Sequence, residues 1–372
     1  MTSLGLQKKG YKTLLVEKEK EIGNLSKKID IIEDIGLDEI TKEYKIKPEI
    51  TSNVSCWCAG NECFRFKSNI KELFFTRGKL DNSLENQLFK QAIKKGTEII
   101  FSSKTEIKDN RILINGKEIN VKIIIGADGT DSLVTKYCYP NEKKRVIQGY
   151  GQTYKDLNLP IGETHVIFDQ THIPGGYVYI SRTPSLSTIV LGCKNNPNKT
   201  NLEIIKKTNP KINEIINKRS GEEIWGKGII SNINNRVYKN ILLVGDAARV
   251  ADPLFLYGVR PALISSDFAV KTINNYFENE TSLDNYNHML NEYLLKEYIF
   301  LKIARNTLDK MNQNDIEFVI NKLNYIDKNF GLDGISEEPK KLLSAMIRIF
   351  VRNPYSSTKL SFKVIKSLFE SL

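Results

Sequence analysis

Residues 10–18 of this 372-residue chain read Gly-Tyr-Lys-Thr-Leu-Leu-Val-Glu-Lys, and this stretch decides the fold. The run from Tyr11 to Val16 is typical of a short β-strand. Gly10 suits the end of a preceding helix, because glycine tolerates the left-handed conformation found there. Glu17 follows the strand directly, and an acid at that place can accept both ribose hydroxyls of an adenosine. Helix, glycine turn, strand and acid together predict the second half of a dinucleotide-binding βαβ unit.

The first half of that unit is missing from the sequence ahead of the helix. No strand and no GxGxxG motif precedes Leu4. With the usual spacing, the last glycine of such a motif falls just upstream of Met1. We therefore expect either a start that was assigned too late or a real truncation of the unit.

Two later apolar runs each lead into a turn that contains glycine and aspartate. The first runs from 121 to 125, and Asn115-Gly116 before it predicts a hairpin in which the run pairs with residues 111–114. Buried strands of this kind deliver their carboxyl ends to a ligand crevice. The turn after this first run is Gly126-Ala127-Asp128-Gly129. The second run covers 241 to 244, and the turn after it is Gly245-Asp246-Ala247-Ala248. The loop that follows the second turn contains Pro253 and Gly258.

The middle of the chain has a different character. Residues 145–230 are rich in β-prone runs and turn signals, and the alternation in residues 177–180 suits a half-buried antiparallel sheet. From about residue 286 the pattern is helical. The sequence thus predicts an α/β fold in which a Rossmann-type domain carries an inserted antiparallel-sheet domain and a C-terminal helical segment. The expected boundaries are 1–45, 70–144 and 236–285 for the first domain, 46–69 and 145–235 for the second, and 286–372 for the helical segment.

The charge is concentrated at one end of the chain. The whole sequence carries 55 Lys and Arg against 44 Asp and Glu, a net charge of +11, and residues 340–372 hold +6 of it. This tail includes an apolar stripe at helical spacing, so it could lie on an anionic membrane surface or dock on the body as an ordinary terminal helix. No basic-aromatic module accompanies the charge, so we predict no nucleic-acid partner. No apolar run is long enough to span a bilayer, and we expect a cytoplasmic protein.

In this order, the motifs resemble those of FAD-dependent oxidoreductases, and within that class those of the geranylgeranyl reductase family. Residues 8–18 and Glu21-Ile22-Gly23 are similar to that family's opening, and Pro174-Gly175-Gly176-Tyr177 matches the first half of its Pro-x-x-Tyr-x-Trp-x-Phe-Pro signature. The departures are Tyr179, Ser181 and Arg182 at the later signature positions. The loop reads Leu256-Tyr257-Gly258 where the family has Gly-Glu-Gly.

The resemblance implies a set of cofactor and substrate residues. It places Glu17 at the adenosine ribose, Arg77 at the flavin, Asp128 and Gly129 in the cofactor-facing turn, and Asp246 at the ribitol. Pro253 and Gly258 are expected in the loop against the flavin ring. Tyr177 and Tyr179 either line a substrate cavity or are core aromatics of the sheet. No catalytic residue and no oligomeric state is indicated.

Other signals carry less weight. Gly221-x4-Gly226-Lys227 has the spacing of a phosphate loop, but Gly228 stands where Ser or Thr should hold Mg²⁺. Cys56, Cys58 and Cys63 do not have a standard zinc spacing and no fourth ligand is near them in sequence, so we predict no metal site. Five cysteines fit thiols in a reducing compartment better than a disulfide scaffold.

The resemblance implies a reductase that saturates the double bonds of an isoprenoid lipid with reduced FAD, with NADPH or ferredoxin as electron donor. An unactivated alkene offers no polar handle, so an apolar tunnel is expected. Two alternatives remain open: an aromatic monooxygenase of the same fold, and a non-catalytic remnant that has lost the glycine loop. Peripheral membrane contact through residues 340–372 would suit the reductase.

Overall fold

The structure is a computed structural model that describes residues 1–23, 28–109, 111–193, 196–216, 221–231 and 233–330, with only the backbone at 69, 296, 297, 300 and 324–330. The tail at 340–372 lies outside these residues, so the expectation of a membrane-binding helix there stays a prediction. The described residues form nine α-helices: α1 (Thr2–Lys8), α2 (Asp38–Glu43), α3 (Leu84–Lys94), α4 (Leu133–Cys138), α5 (Lys199–Thr208), α6 (Pro210–Ile216), α7 (Val259–Asn279), α8 (Asn285–Leu308) and α9 (Gln313–Phe330).

The described strands number sixteen, and a 3₁₀ turn at Gly245–Ala248 follows the last of them. They are β1 (Leu14–Val16), β2 (Lys28–Glu33), β3 (Ile50–Ala59), β4 (Glu62–Arg77), β5 (Glu98–Ile100), β6 (Thr105–Lys108), β7 (Arg111–Ile114), β8 (Lys117–Ile119), β9 (Ile124–Gly126), β10 (Lys144–Tyr154), β11 (Glu163–Phe168), β12 (Tyr177–Arg182), β13 (Ser187–Cys193), β14 (Glu222–Ser231), β15 (Val237–Tyr238) and β16 (Ile241–Leu243).

One eight-stranded sheet organises the middle of the chain. Its strand order is β14-β10-β13-β12-β11-β3-β4-β2, and every pair is antiparallel except β11 with β3. Because side chains alternate along a strand, its two faces pack into different cores. Val178 and Ile180 of β12 face a core closed by α5 and α6, whereas Tyr177 and Tyr179 face one closed by α9 and the loop after residue 252. The predicted antiparallel sheet is confirmed, with one parallel pair added.

The Rossmann-type part contains two separate parallel pairs. β1 pairs with β5, and β9 pairs with β16, which in turn pairs antiparallel with β15. Among the described strands, none pairs with the second edge of β1 or of β9. Helices α7 and α8 pack against the second pair in a core that includes Leu242 and Tyr286. β1 and β5 therefore form one sheet, and β15, β16 and β9 form another.

Local predictions near the turns are confirmed, and one pairing is wrong. Gly10 (φ +88°) follows α1, and Asn115 (φ +51°) and Gly116 (φ +79°) form a hairpin turn. The partner strand in that hairpin is β8, not residues 121–125 as expected, since β9 is used in the buried parallel pair with β16. Strand β2 lies in the large sheet, beside β4. The domain boundaries themselves stay a prediction.

Candidate active site

Asp246 lies in the connection between strand β16 and helix α7. The 3₁₀ turn that holds it follows β16 directly and begins at Gly245, whose φ of +59° favours glycine. The hydrogen bonds that the described residues make to Asp246 come from Arg249 and go to its backbone carbonyl. A Cβ on Gly258, which caps α7, would stand 2.8 Å from Asp246 Oδ1. The carboxyl group of Asp246 is thus available to a ligand and lies against the start of a 21-residue helix.

Asp252 holds the loop that separates Asp246 from α7. Its buried carboxylate accepts three backbone N–H groups, from Leu254 (2.9 Å), Phe255 (2.8 Å) and Tyr257 (2.5 Å). Burial raises the pKa of Asp252, and these three hydrogen bonds act against the rise. Pro253 is buried next to it. These hydrogen bonds therefore fix the backbone of the loop that carries Pro253 and Gly258.

Arg77 ends β4 within a cluster of charges. Its guanidinium donates to Asp30 and, at 2.5 Å, to Glu85. Burial raises the pKa of Asp30, but Lys28 and Arg77 together lower it below its usual value. Burial likewise raises the pKa of Asp246, while Lys28 and Arg77 partly offset the rise. Arg77 and Asp246 thus act on one another electrostatically, and two carboxylates already engage the arginine.

Glu17 and Asp128 lie at the ends of the two parallel pairs. Glu17 follows β1, and its Oε1 accepts the N–H of Glu19 at 3.0 Å. The carboxylate of Asp128 accepts the hydroxyl of Ser132 and the N–H of Leu133, at 2.5 and 2.7 Å, and so caps α4. Gly129 has φ +77°. No hydrogen bond among the described residues joins Glu17, Asp128 and Asp246, so their roles toward a cofactor stay predictions.

Tyr177 and Tyr179 meet the loop after Asp252. The Tyr177 hydroxyl donates to the Phe255 carbonyl at 2.5 Å, and the two rings are edge to face at 5.3 Å. Tyr179 makes the same kind of contact with Tyr257 at 6.4 Å, and Trp57 lies 6.2 Å from Phe255. Tyr257, one of the two residues that depart from the family's loop pattern, is thus packed on Tyr179.

These rings pack on the face of the large sheet that carries Tyr177 and Tyr179. Burial raises the pKa of Tyr177, Tyr179 and Tyr257, which keeps their hydroxyls neutral. Two cavities of about 360 and 350 Å³ lie beside Lys47 and Gln313, and none of the three tyrosines lines either of them. Tyr177 and Tyr179 are themselves buried, so the described residues form a packed aromatic surface at this place, and the expected tunnel stays a prediction.

Glu72 is a feature that sequence reasoning missed. Its carboxylate accepts the hydroxyls of Ser55 (2.9 Å) and Thr164 (3.2 Å). Burial raises its pKa from 4.5 to about 7, against the effect of these two hydroxyls. Its charge also adds to the raised pKa of Tyr179 and Tyr257. No local pattern could have found it, because the pairing that brings Thr164 beside Ser55 joins strands more than 100 residues apart.

The cysteines differ from expectation. Cys58 and Cys63 form a disulfide between β3 and β4, whereas five free thiols were predicted. Cys56, Cys138 and Cys193 are buried free thiols.

The chain is similar in sequence to several named proteins. No model of a protein family matches it. It is 26% identical to a digeranylgeranylglycerophospholipid reductase of Methanocaldococcus jannaschii, over 93% of this chain and 91% of that one. A digeranylgeranylglycerophospholipid reductase of Methanosphaera stadtmanae is 24% identical over 95% and 93%.

Solved structures share the fold. A geranylgeranyl bacteriochlorophyll reductase-like protein of Thermoplasma acidophilum superposes with a TM-score of 0.76 at 16% identity, covering 97% of this chain and 95% of that chain. A probable FAD-dependent monooxygenase of Pseudomonas aeruginosa gives 0.64 at 13% identity, covering 86% and 95%.

In fold and in sequence the chain is similar to FAD-dependent oxidoreductases. Within that class it is similar to the geranylgeranyl reductase family along nearly its whole length, as its motifs predict.

Proposed function

We propose that this protein is a reductase that binds FAD and saturates carbon–carbon double bonds of geranylgeranyl lipids or their precursors. The observation that carries the proposal is its similarity to digeranylgeranylglycerophospholipid reductases over more than nine-tenths of the chain. The electron donor is NADPH or ferredoxin.

The site fits a flavin cofactor. Asp246 offers a carboxyl group that can accept ribitol hydroxyls, and Gly258 leaves the space that a Cβ would fill. The N–H groups at the start of α7 favour negative charge on a ligand. Glu17 and Asp128 are proposed at the ribose and at the cofactor-facing turn, with Arg77 and Pro253 on the flavin side.

Reduced FAD, when bound, supplies the hydride that reaches one carbon of the alkene. The protein's own contribution is orientation and exclusion of water. Trp57, Tyr177, Tyr179, Phe255 and Tyr257 form an apolar surface with which a prenyl chain can pack, and Asp252 holds the loop that supplies two of these rings.

The second alkene carbon needs a proton, and Glu72 is the proposed source. With a pKa of about 7, its carboxyl group is partly protonated at neutral pH. Ser55 and Thr164 hold the group at the edge of the aromatic surface. The carboxylate left behind keeps both hydroxyl donors and is re-protonated from solvent.

The test uses the purified full chain. FAD is added, unbound flavin is removed and the visible spectrum is recorded; the protein is then reduced and incubated with an unsaturated prenyl lipid. We expect bound flavin and a product heavier by two hydrogen atoms for each bond reduced. NADPH oxidation stimulated by a phenol, without a mass shift of the lipid, would identify a monooxygenase. A chain extended upstream that still holds no flavin would identify a non-catalytic remnant.

Contact with a membrane surface is proposed through residues 340–372. Among the described residues, no helix is both long enough and apolar enough to cross a bilayer. We expect the full chain to float with anionic vesicles, and a variant with Lys359, Lys363 and Lys366 changed to Gln to float less. Equal flotation of the two would contradict a role for these charges.

A further inference from the structure

Three cysteine sulfurs converge where β3 turns into β4. Cys58 and Cys63 are cross-strand partners joined by a disulfide, and Cys56 Sγ lies 3.6 Å from Cys58 Sγ. All three sulfurs lie within 4.8 Å of one another. Cys56 and Cys58 belong to the core on the α5 and α6 side of the sheet, opposite the aromatic surface. The proposed flavin chemistry makes no use of this cluster.

A histidine stands beside the cluster although it is distant in sequence. His165 on β11 is in parallel register with Cys56 on β3, so the two residues are neighbours across the strands. The histidine is only 6% exposed, and its Nδ1 has no hydrogen-bond partner among the described residues. Its Nε2 lies 3.3 Å from Glu163 Oε2. Metal-ligating histidines are characteristically held in this way, with a carboxylate on one ring nitrogen and the other nitrogen free.

The charges around the cluster suit bound thiolates. Burial raises the pKa of the Cys56 thiol, whereas the positive charges of Lys211 and Arg65 lower it. Arg65 also forms an ion pair with Glu163. Three thiolates around a divalent cation carry one net negative charge, which these two cations offset.

We propose that reduction of the Cys58–Cys63 disulfide turns this hairpin into a zinc site, with Cys56, Cys58, Cys63 and the Nδ1 atom of His165 as ligands. Three thiolates and one imidazole are a standard set for tetrahedral structural zinc. A Zn–S distance of about 2.3 Å puts neighbouring sulfurs about 3.8 Å apart, close to the separation of Cys56 and Cys58. The predicted absence of a metal site rested on the non-standard spacing of the cysteines and on there being no fourth ligand near them in sequence. In the fold, His165 is the register partner of Cys56.

The two states of the cluster exclude one another. Two electrons and two protons from a dithiol reductant convert the disulfide into two thiols, and the reductant becomes a disulfide. Zinc then displaces the three thiol protons, which pass to solvent. The oxidised hairpin keeps one free thiol, so it lacks the ligands for a tight site.

Co²⁺ is the probe, because its absorption reports both thiolate ligation and tetrahedral geometry. The full chain without flavin is reduced, titrated with Co²⁺, and back-titrated with Zn²⁺. We expect one equivalent of Co²⁺ with a thiolate charge-transfer band, displaced by Zn²⁺. Cys56→Ser and His165→Ala should each weaken binding at least about 10-fold. The matched control is Cys138→Ser, since Cys138 is also a buried free thiol but belongs to another core; it should bind as the wild type does.

Circular dichroism of each variant separates loss of ligands from loss of fold. Wild-type affinity in folded Cys56→Ser or His165→Ala would overturn the assignment. So would equally tight binding by the protein with its disulfide intact. None of these readouts depends on flavin or on a lipid substrate.

Discussion

The hydroxyl of Tyr177 donates a 2.5 Å hydrogen bond to the backbone carbonyl of Phe255. This bond connects the face of the large sheet that carries Tyr177 to the loop between the 3₁₀ turn and α7. The same loop is also held by the carboxylate of Asp252, which accepts the N–H of Phe255. A side chain proposed for substrate contact is therefore also a support of the loop proposed to face the flavin.

Tyr177→Phe should destabilise the protein because it leaves the Phe255 carbonyl without this donor. We expect the free energy of unfolding to fall by about 1–2 kcal/mol, measured by urea denaturation. Tyr179→Phe is the matched control. The Tyr179 hydroxyl is buried and interacts with the side chain of Ser181, not with the loop, so its removal leaves no loop carbonyl without a donor and should cost less. Equal losses in the two variants would contradict the assigned role of the hydrogen bond.

Gly258→Ala should weaken flavin binding. The new Cβ would stand 2.8 Å from Asp246 Oδ1 and displace the carboxyl group proposed to hold the ribitol. We expect the Kd for FAD, measured by fluorescence quenching, to rise at least about 10-fold, or about 1.4 kcal/mol.

Gly226→Ala is the control for this substitution, because a Cβ at Gly226 meets nothing within 4 Å. It should bind FAD as the wild type does. An unchanged Kd in Gly258→Ala would remove Asp246 from the cofactor site.

Short-range features of the fold were predictable from the sequence. Gly10 marks the end of α1, and Asn115-Gly116 makes a hairpin, because each depends on a conformation that few residues adopt. The partner strand of that hairpin was assigned wrongly. Local patterns do not distinguish β8 from β9. What separates the two strands is that β9 has a parallel partner, β16, which lies 115 or more residues further along the chain.

The parts of the site that sequence could not give depend on pairings across strands. The proximity of His165 to Cys56 follows from the parallel register of β11 and β3, which join residues more than 100 positions apart. The raised pKa of Glu72 follows from burial that only the assembled sheet provides. The family resemblance, in contrast, singled out Asp246 and Gly258, which lie close together: a Cβ on Gly258 would stand 2.8 Å from Asp246 Oδ1.

Asp128→Ala should lower stability whether or not Asp128 also faces the cofactor. Its carboxylate accepts the N–H of Leu133 and the hydroxyl of Ser132 at the start of α4, so its loss should cost about 1 kcal/mol. Asp131→Ala is the control, since its exposed ion pair with Lys227 should contribute much less. Thermal unfolding without flavin measures both. An unaltered Tm in Asp128→Ala would show that the cap contributes nothing.

Glu72→Gln should change the pH dependence of stability in a defined direction. Below pH 4.5 the carboxyl group is protonated in both states of the chain. Between pH 4.5 and about 7 the unfolded chain releases the proton while the folded protein keeps it, so the wild type loses stability as the pH rises. The variant has no proton to release. Its free energy of unfolding relative to the wild type should therefore rise by about 3 kcal/mol across this window.

Urea denaturation of the wild type and Glu72→Gln at several pH values from 4.5 to 8 measures the difference. Glu98→Gln, an exposed carboxylate on β5, controls for the loss of a negative charge. The difference between Glu72→Gln and this control then reports on the buried position of Glu72. A stability difference that stays constant over this range would mean that Glu72 ionises as it does in the unfolded chain, and it would remove Glu72 as the neutral-pH proton source.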